Sequence, residues 1–162
     1  MKRDLISIMD VKDDLKEIVK LAIDMKGEQK DGLQMSPFNG QVLGMIFEKP
    51  SLRTRVSFDV GFTQMGGTAL YLSPNEIQIG KRESTYDVAK VISRFVEMIM
   101  YRAFDSENVK ELAKHADVPV INGLDDMEHP CQAVADFMTM TERKGDLKGL
   151  KLAWVGDGNN VL

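Results

Sequence analysis

Short apolar runs alternate with helix-period segments along almost the whole chain, and this alternation limits the possible folds more than any other feature. Gln41 to Phe47 (QVLGMIF), Thr68 to Leu72, Met98 to Tyr101 (MIMY), Val118 to Ile121 and Lys151 to Val155 each read as strands. Asp10 reads as an N-cap, and the segment after it puts Leu15, Ile18, Val19 and Ala22 on one helical face. Gly27 to Gly40 is polar and turn-rich and reads as a loop. A helix after Pro50-Ser51 carries Val56, Phe58, Val60 and Met65 as its bulky apolar members, and Gly66-Gly67 ends it. Ser84 and Asp87 form a capping box for a helix with Val88, Val91, Ile92 and Phe95 inward. Ser106 caps a helix carrying Val109, Leu112 and Ala113, and Pro130 occupies the first turn of a helix reaching about Arg143.

Strands separated in this way by helices imply βα units. The expected class is therefore α/β, a three-layer parallel-sheet domain with helices on both faces. Residues 1–147 make that domain, and 148–162 read as the start of a second α/β unit, Lys151 to Val155 being its first strand. On this reading the 162 residues are a fragment of a longer protein.

Charge narrows the partners. Lys+Arg is 21 against Asp+Glu 25, a net charge of −4, which argues against a nucleic acid or an anionic membrane as the main partner. No apolar segment is long enough to span a bilayer, and Met1-Lys2-Arg3-Asp4 lacks the apolar core of a signal peptide. The expectation is a cytoplasmic protein. With Cys131 as the one cysteine, an intramolecular disulfide is impossible, and His115, His129 and Cys131 are spaced unhelpfully for a metal.

The strongest chemical feature is Lys49-Pro50-Ser51-Leu52-Arg53-Thr54-Arg55, placed between a strand and a helix. A helix N-terminus offers unpaired N–H groups and a positive dipole end, Ser51 and Thr54 add hydroxyls, and Arg53 adds a planar fork suited to phosphate. The same residues also fit a plainer role, with Ser51 as N-cap and Arg53 and Arg55 on a solvated face. His129-Pro130-Cys131-Gln132 lies at another helix start, where His129 can donate to a carbonyl oxygen or simply cap. Arg102 follows a buried strand, at the sheet edge where open α/β folds bind ligands, although a strand-end arginine is often a surface ion-pair partner. Gln78 to Glu83 reads as a polar loop. Gly156-Asp157-Gly158-Asn159-Asn160-Val161 matches G-x-G-x-x-G only in part, with Val161 at the third glycine.

Together these segments resemble a known family. Phe47 to Phe58 (FEKPSLRTRVSF) resembles the Ser-Thr-Arg-Thr-Arg carbamoyl-phosphate signature of the aspartate/ornithine carbamoyltransferases. Gly66-Gly67, the Gln78 loop, Tyr101-Arg102, Asn122-Gly123-Leu124, His129-Pro130-Cys131-Gln132 and Trp154 to Asn160 follow in that family's order. The lead-in Phe-Glu-Lys-Pro-Ser, His-Pro-Cys-Gln and Gly-Asp-Gly-Asn-Asn are more similar to the ornithine branch than to the aspartate branch.

The resemblance implies transfer of a carbamoyl group from carbamoyl phosphate to L-ornithine, giving citrulline and phosphate, in arginine metabolism. It implies that Ser51, Leu52 (through its backbone), Arg53 and Thr54 hold the phosphate. Arg102, His129 and Gln132 would contact the carbamoyl end, with Pro130 and Cys131 beside them, and Asn160 would contact ornithine. Arg102, His129 and Thr54 would serve the developing oxyanion, and Gln78 would reach a neighbouring subunit's site. No metal or organic cofactor is expected, and a homotrimer or a multiple of trimers is. Leu52 stands where the family usually has threonine, and the ornithine-binding half has no counterpart in these residues. The chain alone is thus expected to bind carbamoyl phosphate weakly, if at all, and not to turn over. Aspartate or another amine as acceptor, or a non-catalytic oligomerising or ligand-binding domain, are the alternative readings.

Overall fold

A computed structural model describes residues 2–33, 35–80 and 82–160. Lys81, in the loop after Gln78, and Val161, in the partial glycine motif, lie outside the described residues. Four strands, β1 (Val42–Phe47), β2 (Thr68–Leu72), β3 (Met98–Arg102) and β4 (Val120–Asn122), form one parallel sheet in the order β2-β1-β3-β4. Six helices accompany them among the described residues: α1 (Leu15–Lys30), α2 (Leu52–Gln64), α3 (Pro74–Ile77), α4 (Thr85–Ile92), α5 (Ser106–His115) and α6 (Pro130–Lys144).

Side chains alternate across the sheet as the pleat requires. Ile46, Ile99, Tyr101 and Val120 face α4 and α5, packing on Val88, Ala89, Val109 and Leu112. Leu43, Met45, Phe47 and Met100 face the other way, toward Phe58 and Phe62 of α2. Phe38, from the segment before β1, stacks on Phe62 with ring centroids 4.7 Å apart. Both faces of β1 are therefore covered, which explains why QVLGMIF reads as an unbroken apolar run rather than an alternating one. Gly44 is the small member on the α4 side: a Cβ there would already touch Ile92 and Val96 at 3.4 Å.

The β4 edge does not face water bare. Leu5 bridges to Ile121 in parallel, its N–H donating to Val120 O (2.9 Å) and its carbonyl accepting from Asn122 N–H (2.8 Å). Beyond β4 the turn is tied by one buried amide. Asn122 Nδ2 donates to Ile6 O (2.9 Å) and Asp125 Oδ2 (2.8 Å), and its Oδ1 accepts from Leu124 N–H (2.9 Å).

Several local expectations are corrected. Lys151 to Val155 form no strand: a strand is stabilised by a ladder partner, none lies beside them among the described residues, and Leu152 and Val155 are 80% and 97% exposed. Asp10 is not the N-cap of α1 but the third residue of a 3-10 turn (Ile8–Val11) capped by Ser7, with which it forms a capping box. Helix α1 runs to Lys30, into the segment expected to be a loop, because Met25 to Lys30 contain no breaker stronger than Gly27. Asp105 rather than Ser106 caps α5, its carboxylate accepting from Glu107 N–H (2.8 Å). Val91 lies inside α4 but off the face that buries Val88 and Ala89, and Phe95 falls beyond the helix end at Ile92, so both face solvent.

Replacing Asn122 by alanine leaves Ile6 O, Leu124 N–H and the buried Asp125 carboxylate without these partners. Asn122→Ala is expected to cost about 3 kcal/mol of unfolding free energy, measured by urea denaturation.

Candidate active site

In the strand order β2-β1-β3-β4, chain connections leave β1 and β3 in opposite directions, so the sheet has its topological switch point between these neighbours. Open α/β sheets bind ligands at the carboxyl ends of strands at such a point. The residues found there are the β1–α2 loop on one side and Arg102 on the other, Phe47 and Arg102 being register partners.

Ser51 is the N-cap of α2. Its backbone is extended (φ −154°, ψ 123°) and its Oγ accepts from Thr54 N–H at 3.3 Å. The capping role and the proposed anion role are thus compatible, because the cap uses one of the first-turn donors and the N–H groups of Leu52 and Arg53 also lie in the turn that has no i−4 carbonyl. Thr54 is buried, and its Oγ1 accepts from Arg102 Nη1 at 3.0 Å. Arg55 parts company with this group: its guanidinium carbon lies 3.9 Å from the Tyr71 ring centroid, so it stacks on β2.

The site is electropositive at some energetic cost. Burial and the neighbouring Arg53 charge push the Arg102 pKa down, and burial and the Arg102 charge push that of Lys49 down. His129, at the N-cap position of α6, has its pKa lowered by burial first and by Arg102 second, against an opposing pull from Asp136 and Asp125. Arg102 Nε and His129 Nδ1 are buried and have no hydrogen-bond partner among the described residues. Buried polar nitrogens are normally paired, so two such atoms on residues whose charges interact single out this end of the sheet as a candidate place for an oxygen-bearing ligand.

The family model for the aspartate/ornithine carbamoyltransferase carbamoyl-P binding domain matches residues 3–142. The chain belongs to the aspartate/ornithine carbamoyltransferase family. It is 55% identical over 161 residues to an ornithine carbamoyltransferase of Picrophilus torridus, covering 99% of this chain and 52% of that one. A catabolic ornithine carbamoyltransferase of Thermoplasma volcanium is 51% identical over 160 residues, again with 99% and 52% coverage. Among solved structures, the ornithine carbamoyltransferase of Pyrococcus furiosus superposes with a TM-score of 0.95 at 49% identity, covering 98% of this chain and 51% of that chain. The chain therefore spans about half the length of the curated relatives it matches.

Within this carbamoyltransferase domain the expected site residues separate into two groups. Ser51, Thr54, Arg53 and Arg102 are brought together, and His129 lies within the field of Arg102. Pro130 is buried at the first position of α6, and Cys131 Sγ lies 3.7 Å from Asn122 O. Leu52 keeps its place in the first turn while its side chain is 76% exposed. Gln132 is turned along α6, its Nε2 donating to Asp136 Oδ1 at 2.9 Å. Gln78 is exposed, at positive φ (48°), with its amide donating to Asn75 O at 3.4 Å. The Asn160 amide donates to Asp125 O.

One participant was not singled out from the sequence. Glu48 accepts from Tyr101 Oη, from Phe104 N–H (2.6 Å) and from Asn108 Nδ2 (3.5 Å). The available signal was a lone carboxylate directly after a buried strand and ahead of an arginine-rich run.

Two measurements follow from these environments. The unfolded chain keeps an ordinary imidazole pKa near 6.5 and takes up the proton first as pH falls, so His129 contributes fully above about pH 6.5 and less on acidification. Urea denaturation from pH 7 to 5 is expected to show wild-type stability falling more steeply than that of His129→Asn. Burial pushes the Cys131 thiol up to about 11, so iodoacetamide at pH 7.5 is expected to alkylate the native chain far more slowly than the chain in urea.

Proposed function

We propose that this chain is the carbamoyl-phosphate half of an ornithine carbamoyltransferase, which transfers the carbamoyl group of carbamoyl phosphate to the side-chain amine of L-ornithine. The observation that carries the reading is the pair of unpartnered buried nitrogens, Arg102 Nε and His129 Nδ1, in a neighbourhood where Arg102 also donates to Thr54 of the α2 start and feels the charge of Arg53. The names of the relatives support ornithine as the acceptor, and both catabolic and anabolic forms occur among the named proteins; the proposed reaction belongs to arginine metabolism.

The chemistry divides between two sets of groups. The amine attacks the carbamoyl carbon, the carbonyl oxygen gains negative charge, and phosphate departs. Arg102, the neutral His129 ring and the Thr54 hydroxyl serve the oxyanion. Ser51, Arg53 and the first-turn N–H groups of α2 take the leaving phosphate, Leu52 through its backbone. Donors fixed in advance where charge develops are worth about 3 kcal/mol each. Pro130, Cys131 and Gln132 line the carbamoyl side, Asn160 meets ornithine, and residues 148–162 open the ornithine-binding half. No metal or organic cofactor takes part.

Assembly as a homotrimer, with Gln78 reaching the adjacent subunit's site, is supported by an apolar stripe on α2, where Leu52, Val56 and Val60 recur every fourth residue and are 76%, 49% and 47% exposed. No helix among the described residues is long and apolar enough to cross a membrane, which suits work in the cytoplasm. Calorimetric titration of carbamoyl phosphate into the purified chain tests the cradle. Weak saturable binding, lost in Arg53→Ala, is expected, and a coupled citrulline assay is expected to read no turnover from these residues alone. Absence of binding at millimolar ligand, or equal binding by Arg53→Ala, overturns the assignment of the cradle to this chain.

A further inference from the structure

We propose that Glu48 is the positioning residue of this site, its carboxylate locking the β1–α2 loop to the end of β3 so that Ser51 to Thr54 and the Arg102 guanidinium are held in fixed relation. The inference rests on the carbamoyl-phosphate reading for its functional consequence, though its geometric part stands apart from it.

Glu48 sits three residues before the α2 N-cap and is joined to the Arg102 neighbourhood at four points. Its own N–H donates to Arg102 O (2.9 Å), continuing the β1–β3 ladder by one rung. One carboxylate oxygen accepts from Tyr101 Oη and, at 3.5 Å, from Asn108 Nδ2 of α5, and the other accepts from Phe104 N–H at 2.6 Å. Residues on both sides of Arg102 in sequence, 101 and 104, thus bind one carboxylate. Next along the loop, the Lys49 ammonium lies 5.3 Å from the centroid of the Phe104 ring, a second clasp between the same two segments.

Charge alone predicts the opposite effect. An anionic side chain beside Lys49, Arg53 and Arg102 weakens the field that attracts phosphate, so a purely electrostatic Glu48 would oppose binding. A glutamate retained there for geometry instead fixes where the cations stand. Tyr101 is fully buried, and burial together with the Glu48 carboxylate pushes its phenol well above the ordinary tyrosine range, so the hydroxyl remains a donor at any working pH.

Glu48→Gln separates the two effects, because it keeps the shape, removes the charge and turns one acceptor into an N–H donor facing Tyr101 or Phe104. The test uses the whole chain, 15N-labelled, as wild type, Glu48→Gln, Tyr101→Phe and Arg53→Ala. Amide and arginine Nε–H resonances are recorded without ligand and during titration with carbamoyl phosphate. In Glu48→Gln the ligand-free resonances of Ser51 to Thr54 and Arg102 Nε are expected to move, and affinity to fall about tenfold, the loss of one charge-assisted hydrogen bond. Tyr101→Phe is expected to act in the same direction with a smaller effect, and it carries the test if Glu48→Gln does not fold. Unchanged or tighter binding by Glu48→Gln, or ligand-free shifts confined to Tyr101, Phe104 and Asn108, overturns the proposal. If wild type and Arg53→Ala both fail to bind, the carbamoyl-phosphate reading falls while the ligand-free resonances still decide the role of Glu48.

Discussion

Like charges are crowded at one end of this sheet, and much of the site's construction serves to hold them there. Lys49, Arg53 and Arg102 repel one another, and burial removes part of the water that would screen them, which is why Lys49 and Arg102 both give up protons more readily than usual. Nothing in that cluster is self-stabilising. It persists because the backbone bonds of β1 and β3 fix Phe47 against Arg102, because Thr54 accepts from Arg102, and because Glu48 binds both segments. An anion entering such a place relieves repulsion already paid for by the fold. The donors need little rearrangement when it arrives, which is the physical content of preorganisation.

The sheet order makes that economy possible. β1 and β3 are neighbours but their following segments diverge, so two loops open at one edge without competing for the same volume. The third contributor, His129, comes from further away and needs its own brace. Asn122 and Asp125 supply it: Asp125 accepts from Met127 N–H and Glu128 N–H, while Glu128 accepts from Ser7 Oγ and Ile8 N–H. A turn held at both ends in this way delivers His129 to the start of α6 with little freedom. Rigidity near β4 is thus tied to the N-terminal segment, more than a hundred residues away in sequence.

How much of this could be read from the sequence depended on the range of the interaction involved. The first four strands, the Ser51 and Ser84 caps and Pro130 at the start of α6 are governed by near neighbours and by the period of apolar residues, and they were legible. Lys151 to Val155 have the composition of a strand, but pairing is not a property of the segment itself. Phe95 fits a helical face whose next turn is not built, so there the pattern outran the helix, while Val91 lies within α4 but off its buried face. Arg53 and Arg55 look equivalent in a string of letters; only the placement of Tyr71 on β2 draws Arg55 onto an aromatic ring, while the charge of Arg53 is felt at Arg102. Glu48 was the largest omission, for the partners of its carboxylate lie more than fifty residues away and none of them is charged.

Leu52 shows how recognition by backbone loosens the demands on a side chain. As the first residue of α2 it offers an N–H in the turn that lacks an internal acceptor, and that group is present whatever the side chain. The hydroxyl usual at this place in the family is dispensable on these terms, because Ser51 already caps the helix and Thr54 already meets Arg102. In the proposed site the phosphate is left to the main chain, and the Leu52 side chain heads the exposed stripe that continues through Val56 and Val60. In the proposed trimer that stripe is covered by another subunit, so a single residue would link anion binding, through its N–H, to assembly, through its isobutyl group. A polar residue there would keep the first function and weaken the second.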